Sequence, residues 1–233
     1  MLQKQKTAYE MCHSLVGSEM CIRDRFSIAL ILCLSYSCSS EQETSKEPTS
    51  VVPKEVKIED VHDFTLGEVM VKWTAFKHAS KAQVGGKFDS DSIETSGFKG
   101  GTNLIDAVVG TSFKIPTSTT STGDKTRDYK IVTSFFNTMA NTKHITGTIS
   151  SIDKNGTGNV LLKMNELEIE KNFNWELDQK TFEFYLKTSI NVFDWGAQAA
   201  LNALNEVCLE QHTGPDGVNK LWPDVDITVI AAL

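Results

Sequence analysis

Apolar and polar positions alternate along most of the chain from Gly67 onward. In EVMVKWTAF, Val69, Val71, Trp73 and Ala75 fall on one face. HITGTIS places Ile145, Gly147 and Ile149 together, and NVLLKMN does the same with Val160, Leu162 and Met164. NFNWEL sets Phe173, Trp175 and Leu177 against Asn172, Asn174 and Glu176. TFEFYLKT repeats the pattern with Phe182, Phe184 and Leu186, and DVDITV with Val225, Ile227 and Val229. A period of two over such lengths predicts half-buried antiparallel strands. Turn signals separate them, at DKNGTG (Asp153 to Gly158) and LDQK (Leu177 to Lys180).

The pattern predicts eight strands, at roughly 68–77, 82–96, 106–116, 144–153, 158–167, 169–178, 180–190 and 224–231. Eight antiparallel strands suit a closed barrel, either filled by its own side chains or holding one ligand. A sandwich is the competing architecture. Gly85, Gly86 and Gly147 lie inside strands, which implies bends or close backbone approach. One segment has a different period. Between Val192 and Gly214, Ala197, Leu201, Leu204 and Cys208 recur at helical spacing, and Gly214-Pro215 supplies a stop. This predicts one amphipathic helix before the last strand, closing a barrel end or packing on its wall.

The N-terminal third reads differently. Phe26 to Leu34 is an apolar run of signal-peptide length, too short to span a bilayer. Small residues, Cys38 and a polar run follow, as in a bacterial lipoprotein signal. Residues 26–37 are thus expected to be the signal h-region and lipobox, with the Cys38 thiol lipidated. An ordinary secretory signal is the simpler alternative. Upstream, SLVGSEMCIRDR resembles translated sequencing-adapter sequence, so residues 1–25 are read as a scar in place of the usual basic n-region. Residues 38–66, rich in Ser, Glu, Thr and Lys with Pro48 and Pro53, are expected to form a tether. The folded domain is expected at 67–233. The expected location is outside the cytoplasm, as a periplasmic or outer-membrane-anchored lipoprotein of a Gram-negative bacterium.

Charge and chemistry narrow the function classes. The net charge of −7 offers no basic surface for tracking phosphates, so a nucleic-acid partner is not expected. The many Ser and Thr residues at 117–122 read as loop composition. There is no G-x-S-x-G and no phosphate-cradling glycine motif. Glu166, Glu168 and Glu170 alternate along a strand and read as a solvated face. Cys208 and His212 share a helix face, but two ligands do not complete a metal site. No catalytic residue, metal or cofactor is therefore expected. The aromatic strand positions remain, and a filled core requires the same residues as a ligand cavity.

Arg127 is the sole arginine after Arg25, in TGDKTRDYKIVTSFF. Thr122-Gly123, Arg127-Asp128 and Phe135-Phe136 follow the spacing Thr-Gly, Arg-Asp, Phe-Phe. Upstream stands Gly86-x-Phe88, and downstream TSINVFDW, Thr188 to Trp195. In these motifs and their order the chain resembles the YceI-like family of exported, lipocalin-like, polyisoprenoid-binding barrels. Two departures stand out. MNELEIEKN lacks the His and Gly that the family usually carries there, and the 195–213 helix lengthens the region before the last strand.

The resemblance implies an all-β, eight-stranded antiparallel lipocalin-like barrel. Its apolar interior would bind a hydrophobic lipid, isoprenoid or long acyl; the membrane anchor at Cys38 is expected from the signal pattern. Trp73, Phe88, Phe113, Phe135, Phe136, Trp175, Phe182 and Phe184 are the expected lining. Arg127 and Asp128 are expected to be structural, with the Arg127 fork pinning the corner. Few buried polar groups are in view, so chain burial is expected to outweigh head-group recognition.

Overall fold

The computed structural model describes residues 61–233. The expected scar, the signal segment, Cys38 and most of the tether lie outside the described residues. Nine strands form one antiparallel sheet: β1 (Val69–Lys77), β2 (Ala82–Lys87), β3 (Glu94–Ser96), β4 (Ser112–Pro116), β5 (His144–Ile152), β6 (Thr157–Met164), β7 (Leu167–Leu177), β8 (Glu183–Asn191) and β9 (Leu221–Ala232). Their order is β2-β1-β9-β8-β7-β6-β5-β4-β3, so the sheet curls from one hairpin edge to a short edge strand. Among the described residues no ladder joins β2 to β3. A single bridge between Lys87 and Ser121 spans part of the gap, with N–H donors in both directions at 2.9 and 2.7 Å. The architecture is thus an open, curled antiparallel barrel, all-β as expected.

The strand count differs from eight for local reasons. The run expected at 82–96 breaks after Lys87. Phe88 turns into the core, and a 3-10 turn at Ser90–Ser92 follows, with Ser92 Oγ donating to Asp89. The run expected at 106–116 begins as helix α1 (Leu104–Val108) instead. The Asn103 side chain accepts from the N–H groups of Ile105 and Asp106, which is a strong helix start. Ala107 and Val108 are buried by that turn, and Gly110 at φ 94° redirects the chain into β4.

The inward faces are those the alternation predicted. Val71, Val160, Met164, Phe173, Phe184 and Leu186 are buried. Strand glycines let aromatic rings lie against the wall. Trp73 pairs across the strands with Gly86, and Phe113 with Gly147. A Cβ on Gly86 would stand 2.3 Å from the Trp73 ring, and one on Gly147 2.4 Å from the Phe113 ring. Gly158 and Phe173 repeat the pairing. The close approach read from these glycines is made by rings, which cover the bare backbone of the neighbouring strand.

The helical segments after β4 and before β9 gather at one end. Helix α2 (Lys125–Lys130) runs into a π-helical turn at Ile131–Phe135 and a 3-10 turn at Phe136–Thr138. The helix expected before the last strand is present but broken. Helix α3 (Gln198–Val207) ends at Cys208, whose backbone leaves the helical region, and α4 (Leu209–His212) follows. Ala197, Ala200 and Leu201 pack into the same core cluster as Val71, Phe88, Phe136 and Met139. At the other end, contacts reach back before Gly67. Phe64 is buried and bridged to Gly101, and His62 stacks on Phe182.

Candidate functional site

Among the described residues, two adjoining cavities lie within the curled sheet. The larger, about 260 Å³, sits beneath α2, the π-helical turn and α3. The smaller, about 150 Å³, runs deeper between the strands. Phe88, Ile145, Met164, Ile190 and Ile227 line both, so the two spaces adjoin. The deep cavity is walled by strand residues such as Val71, Phe113, Val160, Phe184, Leu186 and Val229, which are the inward positions of the period-two pattern.

Six of the eight residues named for the lining border these cavities. Trp73, Phe135 and Phe136 line the larger cavity, Phe113 and Phe184 the deeper one, and Phe88 both. The π-helical turn directs the Phe pair: the two rings meet edge to face at 5.2 Å, and Phe136 leans on Phe88 at 6.4 Å. Trp73 is fixed by its Nε1, which donates to Thr120 Oγ1 at 3.1 Å.

Trp175 and Phe182 line neither cavity. Trp175 stacks on Phe184 at the strand end and donates its Nε1 to the carbonyls of Asp153 and Thr157, bracing the β5–β6 turn. Phe182 departs from the strand pattern because the preceding turn extends through it. Asp178 accepts from the N–H groups of Lys180 and Thr181, and Phe182 takes φ 55°. Its ring then stacks on His62 at 3.5 Å, away from the cavities.

The corner at TGDKTRD is held by its acids. Asp128 accepts from Thr122 N–H and Thr122 Oγ1, each at 2.7 Å. Asp124 caps α2, accepting from the N–H groups of Thr126 and Arg127. Those bonds, the one from Arg127 N–H foremost, hold its carboxyl below the usual range against the opposing effect of burial. Among the described residues Arg127 grips no carbonyl. Its guanidinium lies 3.8 Å from Asp124 with the side chain 45% exposed, and it lines the larger cavity. The clamp expected of Arg127 is thus carried by Asp128.

The larger cavity also has a polar rim that sequence reasoning missed. Lys77, Arg127 and Lys130 stand on it, with Asp124 as the one carboxylate. Lys77 Nζ donates to the Gln211 carbonyl at 2.8 Å, and Lys130 Nζ to the Val207 carbonyl at 2.9 Å. Both bonds fall at the ends of α3 and α4, where carbonyls lack helical partners. His212 is buried beside them, with Nδ1 against Asn205 Oδ1 at 2.9 Å. Burial pushes its imidazole down to about 4, and the neighbouring Lys77, His78 and Lys130 add to the effect. Cys208 is a buried free thiol on the same lining. Among the described residues no group of three or more His, Cys, Asp or Glu is placed to hold a metal.

No family model matches the chain, and no curated protein matches it. Solved structures do. A polyisoprenoid-binding domain from Saccharophagus degradans, implicated in plant cell wall breakdown, superposes with a TM-score of 0.50 at 14% identity, covering 71% of this chain and 94% of that one. The chain has the fold of that domain. Burkholderia cenocepacia BcnA is also similar, at 10% identity and a TM-score of 0.47, over 71% of this chain and 96% of its own. A Campylobacter jejuni YceI protein matches at 17% identity and a TM-score of 0.46, over 67% and 88%. The fold is therefore the one the motif resemblance implied, with nine strands in place of eight.

Proposed function

We propose that this protein binds a hydrophobic lipid, polyisoprenoid or long acyl, within the two adjoining cavities, without catalysing a reaction. The observation that carries the reading is a pair of adjoining, largely apolar cavities, one at the Phe135-Phe136 end and one along the deep strand wall. Burial of each methylene contributes roughly 0.8 kcal/mol. About a dozen buried carbons would outweigh several kcal/mol of association cost. A filled barrel presenting its loops to a partner would leave no such space, so the cavities favour the lipid reading. The polyisoprenoid named for the Saccharophagus degradans domain is the ligand class we carry over. The lipid carrier would be exported and anchored through Cys38, facing the periplasm or sitting on the outer membrane.

Native mass spectrometry of the full chain, purified from a lipid-rich host and then exposed to prenyl lipids, tests the reading. A retained or acquired lipid is expected. Repeated preparations without lipid, combined with no uptake of added prenyl lipid, would overturn it.

A further inference from the structure

The two cavities differ in one respect that apolar burial does not explain. The deep one is bounded almost wholly by carbon, with Lys171 its one charged neighbour. The outer one carries Lys77, Arg127 and Lys130 on its rim against the single carboxylate of Asp124. Each ammonium has three donors and, among the described residues, makes one hydrogen bond, to a helix-end carbonyl. The Arg127 fork has five donors and, among the described residues, only the 3.8 Å approach to Asp124. Cationic donors are therefore spare where the apolar space meets solvent. Burial disfavours protonation of the His212 imidazole, and the charges of Lys77 and Lys130 add to that.

We infer that the outer rim is a head-group site, and that the ligand is a single-chain amphiphile with an anionic head, phosphate or carboxylate. The head lies between Arg127 and Lys130, with Lys77 across the mouth, and the tail runs past Phe135 and Phe136 into the deep cavity. The polarity of the lining sets the direction of entry, since a charged head in the deep cavity would lose its hydration and find only Lys171, whose ammonium is already paired with Asp194. Arg offers a planar fork that matches phosphate or carboxylate oxygens in pairs, which a third lysine would not. The inference rests on the lipid-binding reading and adds a head-group preference to it.

Matched ligands on the full chain test it. Trp73 and Trp222 line the outer cavity, so their fluorescence reports binding. Geranylgeranyl phosphate is titrated against geranylgeraniol, and palmitate against hexadecanol, with inorganic phosphate alone as competitor. The anionic member of at least one pair is expected to bind about tenfold more tightly or better, the scale of one or two charge-assisted hydrogen bonds. In Arg127→Gln/Lys130→Gln the anion-over-alcohol ratio is expected to fall to within about twofold, and Arg127→Lys/Lys130→Arg to recover part of it. Lys77 is left in place because it holds α4; Lys130 likewise bonds the Val207 carbonyl at the end of α3, and the Lys130→Arg variant, which keeps a donor there, controls for that loss. Equal affinity for anion and alcohol in both wild-type pairs would overturn the head-group site while leaving lipid binding intact. Full displacement by inorganic phosphate would overturn the amphiphile in favour of a free anion. No binding of any lipid would remove both readings.

Discussion

Asp128 accepts two hydrogen bonds from one residue, from the N–H and the Oγ1 of Thr122, and so closes the corner between β4 and α2. Arg127, its neighbour, lines the cavity and, among the described residues, its guanidinium approaches only Asp124. The two adjacent charges therefore do separate jobs. Asp128→Ala is expected to cost about 2 kcal/mol, because it leaves a part-buried N–H and hydroxyl without their charged acceptor. For a domain of this size that is a Tm lower by roughly 5 °C. Arg127→Lys is expected to change stability by less than about 0.5 kcal/mol, as exposed pairs do. Urea denaturation of both variants checks this; a comparable loss in Arg127→Lys would return the clamp to the arginine.

The aromatic–glycine pairs make a second prediction. At Gly147 an added methyl meets both the Phe113 ring and the Leu161 carbonyl, the latter at 2.5 Å. The ring could swing away, but the carbonyl belongs to the β6 backbone. Gly147→Ala is expected to destabilise by roughly 1–3 kcal/mol, the range of overpacking. Denaturant midpoints measure it, and a neutral result would show that β6 yields without loss.

Thr111 poses the opposite case. Its hydroxyl is buried at the deep cavity with no hydrogen-bond partner among the described residues. Thr111→Val keeps the shape and removes the unmet polar atom, so it is expected to stabilise the ligand-free protein by about 1 kcal/mol. A lower urea midpoint in the variant would mean that the hydroxyl has a partner, such as a buried water.

His212 couples the cavity rim to pH. Its imidazole is pushed from 6.5 down to about 4 by burial. A base with a depressed folded pKa takes up its proton more readily when unfolded. Its contribution to stability is therefore intact above about pH 6.5, declines as pH falls toward about 4, and is lost below that. Other groups titrate in this window, so the comparison is with His212→Gln, whose Tm is expected to fall less than wild type between about pH 7 and about pH 4.5. Parallel curves would show that His212 does not contribute.

Much of the barrel is legible in the sequence because strand faces are written locally. The alternation through β1, β5, β6, β7 and β9 names the inward residues directly, and most of them line the cavities. The errors arise where a local polar contact competes with that pattern. Asn103 starts a helix in a run that reads as strand, and Asp178 holds a turn open until it includes Phe182. Each signal was a single polar side chain just ahead of the misread run.

The sequence by itself determined the sheet, its inward apolar faces and the helix inserted before the last strand, since residue periodicity is a local property. Only the tertiary structure decided that the sheet stays open between β2 and β3 and that the interior holds two cavities. It alone brought Lys77, Arg127, Lys130 and His212, from β1, α2 and α4, to one rim. Those outcomes depend on how strands curl and how distant side chains meet, and no spacing along the chain encodes a contact between residues 77 and 211.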